Sequence, residues 1–327
     1  MTVDAAYRSQ LKSVAALLKS EDRFLLACHV DPDPDCIGSM LALDWALRSM
    51  GKQSCPVSPD PLLPQWKFLP WQDRVRAPHQ VNTDDWEIMI AVDCEINRTG
   101  PLTEWADNAR LLLNIDHHVT NTKQADVTLL NANAAATAEL IYDLITEFGL
   151  SITPPVATLL YAALMADTGA FRFSNTNARV LHLAADLVEK GAAPDIIARE
   201  IYDTRSWAYV QLLRRVLATL ELGCNGKAAW ATLSATDMVA AGVQKDESEG
   251  MIQFPRMIQG VEVAILFREI GPKEVRVSFR SREWVDVSRL AQEFGGGGHA
   301  RAAGCTIQQP LISARQQVME RVCQLLV

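Results

Sequence analysis

Three short apolar runs in the first half of the chain, residues 24–28 "FLLAC", 88–92 "IMIAV" and 111–115 "LLLNI", each end at a polar cluster. Each is too short for a helix, so each predicts a strand buried in a sheet. Helix-like segments alternate with them, beginning near Gly38, Pro101 and Ala135, and "TPPVATLLYAALMAD" from Thr153 predicts a buried helix entered through prolines. Alternation of this kind is the pattern of an α/β domain with a parallel sheet. Ligands of such sheets bind beyond the carboxyl ends of the strands, which is where all three polar clusters fall.

A helical stretch from about residue 177 through 222, interrupted near Gly191 and Pro194, leads out of this sheet. The remainder predicts a smaller α+β domain, with strands at 228–233, 261–268 and 274–280, a helix near 286–294 and another from about 313. The expected organisation is a catalytic domain over 1–190, a helical linker over 191–215 and a second domain over 216–327, with a cleft between the domains.

Composition supports two domains and narrows the function. At 327 residues, 49% of them hydrophobic and 21% charged, the chain can bury sizeable cores. No window approaches the roughly 18 uncharged apolar residues that span a bilayer, and the N-terminus lacks a signal-peptide layout, so a cytoplasmic location is expected. Seven cysteines without a C-x-x-C pair predict reduced thiols rather than a disulfide framework. The net charge of −8 argues against a protein that coats long nucleic acid. That charge is uneven: residues 1–190 hold 15 Lys+Arg against 24 Asp+Glu, whereas 191–327 hold 16 against 15.

The acidic excess accompanies the polar clusters. "CHVDPDPD" offers His29, Asp31, Asp33 and Asp35; "AVDCE" offers Asp93 and Glu95; "NIDHHVTN" offers Asp116, His117 and His118; "ALMADTGAFRFSNT" adds Asp167 at a helix end. Taken singly, Asp31 and Glu95 read as helix caps or turn closers. The ensemble does not, because crowded carboxylates repel one another and are costly to desolvate without a cation or donors. Imidazole and carboxylate ligands without thiolate suit Mn²⁺, Co²⁺ or Mg²⁺ rather than structural zinc. Two divalent cations sharing a bridging carboxylate account for so many ligands, an arrangement suited to displacement at phosphorus.

These motifs resemble the DHH phosphoesterase superfamily. "HVDPDPDCIGS" is similar to that family's first motif, "VDC" to its second, "DHH" is the third, and "ADTGAFRFSNT" resembles the fourth. The resemblance implies one Mn²⁺ held by His29, Asp33 and Asp93, and a second held by Asp35, Asp93, His117 and Asp167, with Asp93 as the bridge. It also implies that His118 contacts the substrate phosphate and that Asp116 orients the site. Pro34 stands where the family usually has glycine, which fixes φ inside the first motif.

In the second half, four consecutive glycines, Gly295–Gly298, allow close backbone approach, and His299 follows them. "FGGGGHARAAG" resembles the glycine-histidine signature of the DHHA1 domain, and "VRVSFRS" its substrate-binding strand. The resemblance implies substrate contacts from Gly296, Gly297, Gly298, His299, Arg280, Ser281 and Arg268, the arginine fork suiting phosphate oxygens. "EGMIQFPRMIQGVEVAILFREI" is similar to a further family segment, with Gln253 in place of a common asparagine.

Length and domain order look most like the short-oligoribonuclease type, known as nanoRNases, pAp 3′-phosphatases and hydrolases of cyclic di-AMP or its linear product pApA. Expected partners are therefore a short RNA or small nucleotide, with no long nucleic acid and no membrane; homodimerisation is left open. A RecJ-type exonuclease fits the motifs but usually carries added DNA-binding domains. A family II pyrophosphatase lacks the glycine-histidine run. A noncatalytic nucleotide-binding regulator predicts missing ligands, and none is missing.

Overall fold

The computed structural model describes residues 5–242, 248 and 250–326. The chain divides into two compact units, one ending at Thr204 and the other beginning at Arg205.

In the first unit, β1 (Arg23–Ala27), β2 (Gln53–Val57), β3 (Ile88–Val92), β4 (Leu111–Asp116) and β5 (Val127–Leu130) form one sheet in the order β2-β1-β3-β4-β5. Every pairing is parallel. Because side chains alternate across a strand, Phe24, Leu26 and Cys28 enter the large core on one face, while Leu25 and Ala27 enter a smaller core on the other. The same alternation sends Ile88, Ile90 and Val92 of β3 to the large core and Met89 to the small one. The expected parallel α/β sheet is therefore present, with β2 and β5 added to the three strands legible in the sequence.

Helices α1 (Ala5–Ser20), α2 (Pro34–Ser49), α3 (Thr103–Ala106), α4 (Thr137–Phe148), α5 (Pro154–Asp167), α6 (Ala178–Glu189) and α7 (Pro194–Ala198) complete the unit, with a π-helical turn over Arg199–Asp203. Helix α2 starts four residues earlier than the sequence suggests. Asp33 caps it, accepting from the amides of Asp35 and Cys36, and Pro34 takes the first helical position. That position needs no N–H and favours proline's fixed φ, so Pro34 starts the helix. Gly38 lies inside α2, where a Cβ would sit 2.6 Å from the Leu159 carbonyl oxygen; its absence lets α2 and α5 touch.

The second unit contains α8 (Trp207–Ala218), β6 (Glu221–Gly223), β7 (Ala228–Leu233), α9 (Ala235–Ala241), α10 (Gln253–Arg256), β8 (Val263–Gly271), β9 (Glu274–Ser281), α11 (Val287–Glu293), β10 (Gly297–His299), β11 (Ala302–Ile307) and α12 (Leu311–Leu325). Its mixed six-stranded sheet runs β10-β11-β9-β8-β7-β6, with β7 parallel to β8 and the other pairs antiparallel. The helical stretch read as continuing to 222 ends at Ala218, and residues 221–223 pair as a strand with β7 instead.

The reading of all cysteines as reduced thiols is corrected. Cys224, in the turn between β6 and β7, is disulfide-bonded to Cys323 of α12, with a Cα–Cα distance of 5.2 Å across 99 residues. Spacing rules could not show this, because the two meet only through the fold of the second unit. Cys28, Cys36, Cys55, Cys94 and Cys305 are free.

Candidate metal centre

Each parallel strand of the sheet's middle delivers a polar residue just past its buried end. His29 follows β1, Asp93 follows β3, and Asp116, His117 and His118 end and follow β4. Helix α2 contributes Asp33 and Asp35 from its N-terminus, and α5 contributes Asp167 from its last position. Asp93 adopts a left-handed backbone with φ 65°, costly for a residue with a Cβ and typical of a site where geometry outweighs strain.

Asp93 is the hub. Its Oδ2 lies 3.6 Å from His29 Nε2 and its Oδ1 lies 3.6 Å from His117 Nε2. His29 Nε2 also lies 3.9 Å from Asp33, and His117 Nε2 lies 3.2 Å from Asp167 and 4.0 Å from Asp35. All six residues assigned to metal by resemblance thus surround one point of the fold. Donor atoms of His29, Asp33 and Cys36 form one set within 4.8 Å of one another, those of Asp35, His117 and Asp167 a second, and those of Asp93, His117 and His118 a third.

The donor set fits divalent cations. His29 Nδ1 donates to the Val30 carbonyl at 2.8 Å and His117 Nδ1 to the Ala134 carbonyl at 3.1 Å. A carbonyl oxygen only accepts, so each imidazole carries a hydrogen on Nδ1, and Nε2 is the nitrogen turned to the carboxylates and left to bind a metal, as in metal-binding histidines. Nε2 of His117 is buried and makes no hydrogen bond. Asp167, at the C-terminus of α5, adds negative charge where the helix dipole already disfavours it.

Proton affinities record the same crowding. Burial, followed by the charges of Asp93 and Asp167, pushes Asp35 well above the usual carboxylate range. Burial likewise pushes Asp167 up to about 6 against the opposing pull of His117. Asp93 goes the other way: burial would raise it, but His29, His117 and His118 together hold it low. Burial would lower His29 and His117, yet the carboxylates around them raise them to about 10 and about 11. A field that draws protons this strongly draws cations as well.

His118 differs from its neighbour. Its Nδ1 donates to Asp116 Oδ1 at 2.6 Å, and Asp116 also accepts from the amides of His117 and His118. Asn121 donates to the other oxygen of Asp116 at 2.6 Å and to Asn114 Oδ1 at 2.6 Å, while Asn114 reaches the Cys94 carbonyl at 2.7 Å. Burial opposes ionisation of Asp116, but His118 and Asn121 outweigh it and hold the carboxyl below its ordinary value. Glu95, read singly as a turn closer, accepts from the Thr122 hydroxyl at 2.6 Å.

Residues that sequence reading passed over complete the framework. Ser39 donates to Asp35 Oδ1 at 3.0 Å, Thr137 Oγ1 donates to Asp93 Oδ1 at 2.8 Å, and the Thr137 and Ala138 amides donate to Asp35 at 2.7 and 3.1 Å. Ser39 sits within the first motif and could have been found there. Thr137 lies in the alanine-rich stretch "NAAATAEL", which carries no polar signal.

The substrate residues expected in the second unit are only partly brought together. Register places His299, Ala302 and Arg280 in one row across β10, β11 and β9. The side chain of His299 lies outside the described residues, as does Glu249 at the start of the "EGMIQFPR" segment. Ser281 is buried and donates to the Ala300 carbonyl at 3.3 Å. Arg268 stands opposite Arg276, four positions and therefore about 13 Å along the sheet from the Arg280 row; it donates to Ser248 at 2.9 Å. Gly296 and Gly298 serve the hairpin itself, since a Cβ would come 2.1 Å from the Gly304 oxygen or 2.5 Å from the Ala302 oxygen. Gly297 faces open space.

Residues 23–164 match the DHH family, N-terminal domain, and residues 213–327 match the DHHA1 domain. A bifunctional oligoribonuclease and PAP phosphatase NrnA of Thermus thermophilus is 33% identical over 97% of this chain and 94% of its own. The chain belongs to the DHH family. A second protein of the same name, from Bacillus subtilis, is 27% identical over 88% of this chain and 90% of its own. Among solved structures, an exopolyphosphatase-related protein from Bacteroides fragilis shares the fold of this DHH protein with a TM-score of 0.90 at 24% identity, covering 98% of both chains. RecJ from Thermus thermophilus, in complex with Mn²⁺, has a TM-score of 0.56 at 16% identity and covers 96% of this chain but 55% of its own.

Proposed function

We propose that this protein is a Mn²⁺-dependent hydrolase of very short oligoribonucleotides and of small adenine nucleotides such as pAp, pApA or cyclic di-AMP. The observation that carries this reading is the meeting of His29, Asp93, His117 and Asp167, from four separate segments, with both imidazoles offering Nε2 inward. The names of the NrnA relatives, matched over nearly their full length, supply the substrate class. The net charge of −8 agrees with short rather than long nucleic acid.

In this reading His29, Asp33 and Asp93 would hold one cation, and Asp35, Asp93, His117 and Asp167 the other. Two such ions supply Lewis acidity at phosphorus and a water acidified for in-line attack. Asp93 would belong to both sets. Asp116 fixes the tautomer of His118, so that Nε2 is left to contact the scissile phosphate. Residues 1–190 carry the chemistry and residues 216–327 grip the nucleotide, with Arg280 and the Gly297 backbone as phosphate contacts and Ser281, Gly296, Gly298, His299 and Arg268 around them.

The test is turnover by purified protein, with Mn²⁺ or with EDTA, of pAp, pApA, cyclic di-AMP, a ribodinucleotide, a long single strand and pyrophosphate. Cleavage of the small nucleotides that EDTA abolishes is expected. Preference for the long strand would instead favour a RecJ-type exonuclease, pyrophosphate turnover a pyrophosphatase, and no turnover a nucleotide-binding regulator.

A further inference from the structure

We infer that Thr137 is a positioning residue that sets the rotation of the Asp93 carboxylate, and so holds its two oxygens apart between the two halves of the metal centre. This rests on the paired-cation reading above.

The terminal torsion of an aspartate is broad, so a carboxylate has no intrinsic orientation that would aim one oxygen at each of two sites. Asp93 nevertheless turns Oδ2 to His29 and Oδ1 to His117, at 3.6 Å each. The hydroxyl of Thr137 donates to Oδ1 at 2.8 Å, and the residue is fully buried. As a β-branched residue at the start of a helix, threonine has few rotamers, which makes it a stiff arm for a single donor.

The same residue also grips the second acid. Its backbone amide donates to Asp35 Oδ2 at 2.7 Å, and the next amide, of Ala138, donates to Asp35 Oδ1 at 3.1 Å. Helix α4 has no capping side chain of its own, because position 136 is alanine. Asp35, from α2, therefore serves as its cap: orphan amides at the helix end gain an acceptor, and a crowded carboxylate gains donors and the favourable end of the dipole. Through one residue the angle of Asp93 is tied to the position of Asp35, although 44 and 102 residues separate the partners in sequence.

Two pairs of full-length variants isolate the hydroxyl. Wild type against Thr137→Val keeps the shape and removes the donor; Thr137→Ser against Thr137→Ala makes the same comparison without the methyl and serves should Val fail to fold. Mn²⁺ titration by calorimetry gives affinity and stoichiometry, low-temperature electron paramagnetic resonance detects an exchange-coupled Mn²⁺ pair, and circular dichroism of the metal-free proteins checks the fold. Wild type and Ser should bind two ions with a coupled signal. Val and Ala should stay folded, bind about 10- to 100-fold more weakly and lose the coupling. Coupling retained in Val or Ala at wild-type affinity overturns the role of Thr137 alone, as does loss in Ser equal to that in Ala. Absence of a coupled pair in wild type overturns the paired-cation reading and this inference with it.

Discussion

The candidate metal centre and the glycine hairpin are built in two different ways. The centre gathers side chains from four distant segments, and most of them are held through one or two atoms by the surrounding framework: Asp33 by α2 amides, Asp35 and Asp93 by Thr137, His29 and His117 by carbonyls. The hairpin is a local structure of one short segment, and there the missing side chains matter. Gly296 and Gly298 let β10 close on β11, while Gly297 has open space where a side chain would stand. Chemistry on phosphorus needs charges held to fractions of an ångström, whereas gripping a nucleotide end needs reach and backbone donors.

Substitutions that break one region and spare the other sharpen this contrast. The largest effect is expected from Asp93→Ala, which removes the hub of both proposed cation sites: turnover should fall by about three orders of magnitude or more while circular dichroism stays native. More than a few per cent of residual rate would refute the bridging role. His118→Asn should lower kcat by about 10²- to 10³-fold with Mn²⁺ binding unchanged, if, as proposed, this histidine serves the phosphate and not the ions. Calorimetry that shows a lost ion would move His118 into the ligand set.

In the hairpin the effects should be smaller and of another kind. Gly298→Ala meets both a positive φ of 139° and a 2.5 Å approach to the Ala302 oxygen, and should cost about 2 kcal/mol of stability in denaturant unfolding. Gly297→Ala should be nearly neutral in the same measurement and raise KM instead. If Arg280 contacts the nucleotide as proposed, Arg280→Ala should raise KM about tenfold with little change in kcat, the loss being one of binding shared by ground and transition states. An unchanged KM removes Arg280 from the nucleotide contacts.

Much of the first unit was legible because its signals are local. Residues 88–92 predict a strand and form β3, because an unbroken apolar run of that length has few other uses. Strands β2 and β10 were not read: "QSCPV" contains a proline at the sheet edge, and "GGH" has no side-chain pattern at all. The early start of α2 was missed because "DPDPD" looks like loop until one sees that its second aspartate caps and its second proline begins a helix.

The sequence by itself determined which residues would bear charge at the ends of buried strands, because apolar length, polar clustering and motif spacing are written along the chain. Only the tertiary structure decided how those charges are aimed and tolerated: that Thr137 meets Asp93, that Asp35 caps a helix other than its own, and that Cys224 joins Cys323. These pairings depend on the order β2-β1-β3-β4-β5 and on the packing of helices over the sheets. Residues tens of positions apart become neighbours there through burial of apolar surface, which has no direction along the sequence.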